Sequence, residues 1–97
     1  MPSYLVLGNF TTQGIQNIKE SPDRLAAAKQ LAEDRGGRIV FFYLTMGQYD
    51  LAILLEMPDD DSAARYMLEL SKNGNIRSTT LKAFTEDEYQ SIIGSIA

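Results

Sequence analysis

The stretch "RIVFFYLTMGQYDLAILLEM", residues 38–57, is the most informative about the fold of this chain. It holds two apolar runs separated by a short segment that contains a glycine. Short runs of this kind, bounded by turn residues, predict neighbouring strands. We predict antiparallel strands over residues 38–45 and 49–57. We expect a type II′ turn between them, with Gly47 and Gln48 as its two central residues, because the first central position of that turn requires a positive φ.

Outward from this hairpin, the chain alternates strands with helices. The predicted elements, in chain order, are a strand at 3–10, helical turns capped by Thr12, a helix starting at Ser21-Pro22, the hairpin, a helix after Pro58, a strand at 76–84 and a last helix after Thr85. The order is βαββαβ followed by an extra helix. This order is typical of an α+β, ferredoxin-like fold, with the two main helices on one face of a four-stranded sheet. We expect one domain over residues 1–97.

The acidic clusters of the chain stand where helices begin. Residues 59–61, all aspartate, and residues 86–88 precede helical patterns, and Thr85 with Glu88 forms a T-x-x-E capping box. Acidic side chains at these positions cap free amides and complement the helix dipole. The three aspartates lack the alternating spacing of a calcium loop, so we expect no metal. For the second main helix we predict an inner stripe of small and apolar residues, namely Ala63, Ala64, Met67, Leu68 and Ser71.

The two central strands lack the alternation of a sheet that is covered on one face only. In "IVFFYL", residues 39, 41 and 43 would point to one side and residues 40, 42 and 44 to the other, and both sets are apolar. A sheet with one wet face should alternate apolar with polar residues. A large apolar patch usually marks an interface. We therefore expect a homodimer that packs face to face.

Composition excludes several function classes. The chain has 97 residues, no cysteine and no histidine, and its formal net charge is −4. Thiol chemistry is thus excluded, and the commonest general base and zinc ligand are missing. No basic run suits a nucleic acid, and no apolar run approaches the length of a membrane span. We expect a cytoplasmic protein that needs no cofactor and does not bind nucleic acid or membranes.

Five polar residues near strand ends are the candidate ligand-binding residues: Asn9, Thr11, Tyr43, Tyr49 and Asp50. We expect the first and third strands to be parallel neighbours, so that these groups share a cleft. A carboxylate with two phenols suits hydrogen bonding to a small polar or aromatic molecule. Asp50 has a purely structural alternative, which is to accept hydrogen bonds from backbone amides near the turn. The pattern does not identify catalytic residues.

Long segments of the chain resemble the GYD domain family: "LGNFTTQGIQNIKESPDR", "AAAKQLAEDRGGRIVFFYLTMGQYDLAILLEMPDD" and "NGNIRSTTLKAFTEDEY". Gln48 stands between Gly47 and Tyr49, which keeps the turn length of the family. The resemblance implies a ferredoxin-like, dimeric α+β barrel and no known biochemical function. The Gly-x-Tyr-Asp hairpin is also remotely similar to effector domains of leucine-responsive (AsnC-type) regulators, which implies amino-acid binding between subunits.

Three functions remain open from the sequence. The first is a homodimeric module that binds a small molecule, and it is the one we favour. The second is a cofactor-independent enzyme of the monooxygenase or isomerase type, by analogy with other dimeric α+β barrels. The third is a structural or interaction protein. A cavity lined by Asn9, Tyr43 and Asp50 would favour the first two, and a solid core the third.

Overall fold

The computed structural model describes all residues, 1–97, and has four strands and four α-helices. The elements are β1 (Ser3–Phe10), α1 (Thr12–Gln16), a 3₁₀ turn (Ile18–Glu20), α2 (Ser21–Asp34), β2 (Arg38–Leu44), β3 (Leu51–Glu56), α3 (Asp60–Ser71), β4 (Ile76–Ala83) and α4 (Glu86–Gly94). The predicted order βαββαβ with an extra C-terminal helix is confirmed. No helix is both long and apolar enough to cross a membrane.

The four strands form one antiparallel sheet in the order β2-β3-β1-β4. The expectation that the first and third strands are parallel is wrong, because β1 and β3 pair antiparallel, with Ser3 opposite Glu56 and Gly8 opposite Leu51. The connection from β1 to β2 leaves room for one strand between them, and the hairpin partner β3 fills that space in the opposite direction. The end of β1 therefore lies beside the start of β3.

Helices α2 and α3 cover one face of the sheet, and the hydrophobic core lies between. Ten buried apolar residues form it: Tyr4, Val6, Ala32, Leu51, Ile53, Leu55, Met57, Ala63, Tyr66 and Met67. On β1 and β3 the buried residues alternate, since successive side chains of a strand point to opposite faces. The register pairs them directly, Val6 with Ile53 for example. We call this side of the sheet the covered face.

The other side, which we call the open face, carries apolar residues with no helix over them. It comprises Leu5, Leu7, Phe41, Ala52, Leu54 and Leu81. A register shift between Ile39 and Phe41 corrects the predicted alternation of β2. Because the bulge adds one residue, Ile39 and Phe42 both lie on the covered face, opposite Leu55 and Ile53. The expectation that both faces are apolar nevertheless agrees with the structure.

The hairpin loop is longer than predicted. The backbone amide of Thr45 donates to the carbonyl oxygen of Asp50 at 2.8 Å, and the Thr45 hydroxyl donates to the carbonyl of Tyr49 at 2.6 Å. Six residues, 45–50, therefore lie between the two strands, and the predicted two-residue turn is wrong. The positive φ of Gly47 is confirmed at 118°, a conformation that side chains with a Cβ rarely adopt.

The predicted capping residues are confirmed at two of the four helix starts. Asp59 caps α3 by accepting from the amide of Ser62, and Thr85 with Glu88 forms the capping box of α4. The cap of α1 is Thr11 rather than Thr12, and α2 begins after Glu20 without a side-chain cap at Ser21. Such shifts by one residue are common at helix ends.

The inner stripe of α3 is rotated from the predicted one. Tyr66 is buried, whereas Leu68 is 71% exposed. The Tyr66 hydroxyl donates to the carbonyl of Ala28 at 2.6 Å, which ties α3 to α2. Burial of a tyrosine whose hydroxyl has a partner gains more apolar contact than burial of the small Ala64 in its place.

Candidate functional site

Asn9 and Asp50 form a clamp between the end of β1 and the start of β3. The Asp50 carboxylate accepts from the amide of Phe10 at 3.0 Å. In return, the Asp50 amide donates to the Asn9 side-chain oxygen at 3.1 Å and to the Gly8 carbonyl at 2.9 Å. These bonds give Asp50 the structural role that the sequence left open. Its carboxylate accepts the hydrogen bond of the Phe10 backbone amide at the end of β1.

Thr11 is engaged in a second structural contact. Its hydroxyl donates to the carbonyl of Gly74 at 2.6 Å and accepts from the amide of Gly14 at 3.1 Å, which caps α1. Its backbone amide donates to the carbonyl of Asn75 at 3.0 Å. Thr11 thus fastens the start of α1 to the connection between α3 and β4.

The two candidate tyrosines lie in different environments. Tyr43 is on β2 opposite Ala52 and is 61% exposed, with its ring centroid 5.0 Å from that of Phe41 on the open face. Tyr49 lies in the hairpin loop and is half-buried. Of the five candidate residues, Asn9, Thr11 and Tyr49 line a common groove, whereas Tyr43 and Asp50 do not.

This groove, which we call the polar groove, lies where β1 and β4 meet the hairpin loop. Its volume is about 640 Å³, and its lining is mostly polar: Leu7, Asn9, Phe10, Thr11, Thr12, Tyr49, Arg77, Ser78 and Thr79. Leu7 and Thr79 are directly paired on the open face, so the groove continues that face. It offers amide, hydroxyl, phenol and guanidinium groups and no acidic side chain. The arrangement suits hydrogen bonding to a partner, and it lacks a paired nucleophile and base.

A second cavity lies on the covered face, between α2 and the sheet. Its volume is about 210 Å³, and ten of its fourteen lining residues are hydrophobic. The lining comprises Phe10, Ser21, Arg24, Leu25, Ala27, Ala28, Leu31, Phe42, Leu51, Ile53, Leu70, Asn73, Asn75 and Ile76. We call it the α2 cavity. None of the three residues Asn9, Tyr43 and Asp50 lines it.

Arg24 is the only charged residue in that lining, and sequence reasoning missed it. Its guanidinium donates to the carbonyl of Asn17 at 2.8 Å and to that of Gly14 at 3.3 Å. The signal was present in the sequence. Four apolar residues of α2 recur at helical spacing: Leu25, Ala28, Leu31 and Ala32. Arg24 lies one helical turn before Ala28, so it lies on the same face.

Three of the shifted pKa values belong to Tyr4, Asp60 and Tyr66, which make structural contacts. Burial and the hydrogen bond to Asp60 raise the pKa of Tyr4 to about 12. The Tyr4 hydroxyl and the Lys82 ammonium hold the pKa of the Asp60 carboxyl below its usual range. Burial raises the pKa of Tyr66 as well. Tyr4, Asp60 and Tyr66 line neither the polar groove nor the α2 cavity. Their hydrogen bonds join elements of the fold.

Two of the three acidic residues at the start of α3 are engaged in contacts within the chain. No three acidic, cysteine or histidine side chains come together in the structure. Asp59 and Asp60 are engaged, the first with the Ser62 amide and the second with Tyr4 and Lys82. Helix capping and ion pairing account for two members of the acidic cluster.

Comparison with known proteins agrees with this geometry. A relative from Thermus thermophilus, named glutamine synthetase and cystathionine beta-lyase binding protein, is 34% identical over 84 residues, which are 86% of this chain and 88% of the relative. The crystal structure of TTHA0845, also from Thermus thermophilus, is similar in fold, with a TM-score of 0.56 and 20% identity. The match covers 88% of this chain and 95% of that one.

The family match covers nearly the whole chain. The GYD domain family matches residues 4–93, from the second residue of β1 into the last turn of α4. The match includes the hairpin loop with Gly47, Tyr49 and Asp50. The chain therefore belongs to the GYD domain family.

Proposed function

We propose that this chain is a binding module that pairs with a second copy of itself through the open face and holds larger proteins by surface contact. The observation that carries the proposal is the open face itself. It is a flat row of apolar side chains on neighbouring strands, with no helix above it. A flat apolar surface suits another protein surface better than a small ligand, which needs a concave site.

The amount of exposed surface supports a second copy as the occupant. The chain exposes 6492 Å². A compact monomer of its mass would expose about 5,500 Å² by the usual scaling of surface with size. The excess, about 1,000 Å², is close to the roughly 800 Å² that each partner buries in a stable interface. An interface of that size would bring this chain to the exposure of an ordinary small protein.

The name of the relative supports a protein partner beyond the second copy. That protein is named for binding glutamine synthetase and cystathionine beta-lyase. In the present chain the polar groove offers Tyr49 and Arg77, two residue types enriched among the dominant contacts of protein interfaces. Arg77 forms no salt bridge within the chain, so its charge is free to pair with an acidic group. We infer that the groove contacts the partner enzyme.

The dimer is tested by light scattering at micromolar concentration. We expect about twice the chain mass of 10.8 kDa for the wild type. Leu54→Asp places a charge in the open face and should give a monomer. Leu68→Asp on the solvent side of α3 is the matched control and should leave the mass unchanged. A monomeric wild-type protein would overturn the dimer.

The protein partner is tested with purified glutamine synthetase and cystathionine beta-lyase from the same organism. We expect saturable binding to at least one of them in an interferometry titration. Arg77→Glu should weaken it about tenfold or more, as for loss of a dominant contact. Arg65→Glu, on the exposed side of α3, should not. Absence of binding to both enzymes would overturn this part and leave the dimer standing.

The polar groove supports a second candidate, which is binding of a small polar molecule by Asn9, Thr11 and Tyr49. The support is that these three predicted residues line one groove with several donors and acceptors. Turnover lacks such support, since no carboxylate, lysine or histidine lines the groove to act as a general base. A metabolite screen by thermal shift, repeated on Tyr49→Ala, tests the small-molecule candidate.

A further inference from the structure

We propose that the α2 cavity is a binding site for a small apolar carboxylate, independent of the dimer and of the polar groove. The apolar body of the ligand would lie against Leu25, Phe42 and Ile53, and its carboxylate would pair with Arg24. The cavity is on the covered face, whereas the polar groove continues the open face. Phe10 is the one lining residue that the two sites share.

The cavity exists because α2 packs loosely on the sheet. This helix has fourteen residues, and Ala32 is its only buried one. Ala27 and Ala28 face the space with methyl groups where larger side chains would fill it, and Leu25 and Leu31 are half-buried along its edge. Protein interiors are normally filled to the density of organic crystals. The space is partly open to solvent, so an apolar ligand that fills it removes the apolar lining from water.

The size of the cavity defines the size of the ligand. It measures about 210 Å³. An engineered apolar cavity of roughly 150 Å³ in another protein stays dry and binds benzene. The α2 cavity therefore accommodates a single aromatic ring with a short substituent, or a branched aliphatic chain of similar bulk. Larger cofactors require the roughly 300–1,000 Å³ of typical ligand pockets.

The charge of the ligand follows from Arg24. Two backbone carbonyls hold its guanidinium in place, and the residue is half-buried. No carboxylate forms a salt bridge with it. A guanidinium has five N–H donors, and the protein accepts from two of its nitrogens. The lining contains no acidic residue that would repel an anion. Three N–H donors remain, and a carboxylate is the acceptor that pairs best with them.

The remaining polar lining residues define the rim. Ser21, Asn73 and Asn75 are the other polar members, and Asn73 is exposed. The rim thus lies where α2 begins and where α3 connects to β4. Arg24 also belongs to the first turn of α2, so the cation and the opening lie at the same end of the cavity. A ligand enters with its apolar end first and leaves its carboxylate at the rim.

The test uses two probes of nearly equal shape, phenylacetate and phenylacetamide, titrated calorimetrically into the full chain. We expect phenylacetate to bind at least about tenfold more tightly, because charge-assisted hydrogen bonds are about twice as strong as neutral ones. Phenylacetate should also raise the melting temperature. No binding of either probe at millimolar concentration, or equal binding of both, would overturn the proposal.

Two variant pairs locate the binding. Ala28→Leu fills the cavity and should abolish binding of both probes, whereas Ala26→Leu, on the exposed side of the same helix, should leave it unchanged. The backbone contact of residue 28 with Tyr66 survives this change, so Ala28→Leu should remain folded. Arg24→Gln should reduce the preference for phenylacetate to about one, with Arg65→Gln as the control. Wild-type binding by Ala28→Leu would overturn the proposal even if Arg24→Gln fails to fold.

Discussion

The two faces of the sheet carry similar residues and have different surroundings. Leu54 and Leu55 are neighbours on β3, yet Leu55 is 0% exposed under the helices and Leu54 lies on the open face. Both faces are rich in large apolar side chains. The difference is that α2 and α3 cover only one side. Apolar residues alone therefore do not make a core, because something must also cover them.

The open face is as apolar as a hydrophobic core, but no helix packs on it. On the covered face helices do pack on the sheet, and α2 packs loosely. The open face needs a second layer packed against it, and we propose that a second copy of the chain provides that layer. The covered face contains the α2 cavity, where small alanines face the sheet. The uncovered face follows from the number of helices, since a chain of 97 residues has only two long helices to lay over four strands.

The largest effect should come from the pair Leu55→Ala and Leu54→Ala. The first removes a buried side chain and should cost about 2–5 kcal/mol of unfolding free energy. This cost should be present at every protein concentration. The cost of Leu54→Ala should rise with protein concentration, because the open face is covered only in the proposed dimer. Urea unfolding over a hundredfold range of concentration measures both, and a concentration-independent cost at Leu54 would break the comparison.

The next effect concerns close backbone approach. A Cβ at Gly14 would lie 2.1 Å from the carbonyl oxygen of Asn75, which belongs to the backbone and cannot swing away. Gly14→Ala should therefore lower the unfolding free energy by about 1–3 kcal/mol. Gly94→Ala on α4, where nothing lies within 4 Å, is the matched control and should be neutral. Equal melting temperatures of the two variants would contradict the tight contact.

A smaller loss is expected at the tip of the hairpin. Gly47 has a φ of 118° with no neighbouring atom within 4 Å of a Cβ. The cost of Gly47→Ala is then backbone strain alone, about 1 kcal/mol at the lower end of what such conformations cost. Thermal unfolding of this variant beside Gly14→Ala separates strain from steric overlap. A wild-type melting temperature would mean that the loop relaxes to another conformation.

The last effect is a loss of stability that begins only in alkali. The pKa of Tyr4 is raised to about 12 in the folded chain, against an ordinary value near ~10. The folded state thus binds this proton more tightly than the unfolded state. Its contribution is fully present below about pH 10 and is lost as pH rises toward about 12. Urea midpoints across this range should fall less steeply for Tyr4→Phe, and an unchanged slope would contradict the assignment.

The polar candidate residues show that the sequence does not reveal which hydrogen-bonding groups already have partners. Asn9, Thr11 and Asp50 stood out because they are polar at strand ends, and the structure does bring them to one end of the sheet. Their atoms are largely used by the backbone: Asp50 by the Phe10 amide, Asn9 by the Asp50 amide and Thr11 by Gly74. Residue type and position cannot show which groups are already satisfied. Arg24 differs from them, because its spacing from Ala28 already indicates that it lies on the apolar face of α2.

Local sequence patterns were enough to predict the order of elements, the span of β1, the caps at Asp59 and Thr85, and the positive φ at Gly47. Each depends on neighbours within a few residues, through strand alternation, amide capping or steric freedom of one backbone angle. Only the tertiary structure decided the antiparallel pairing of β1 with β3, the bulge in β2 and the burial of Tyr66 in place of Leu68. Those features depend on contacts between residues that are far apart in the sequence, and local sequence patterns do not show which of these contacts form.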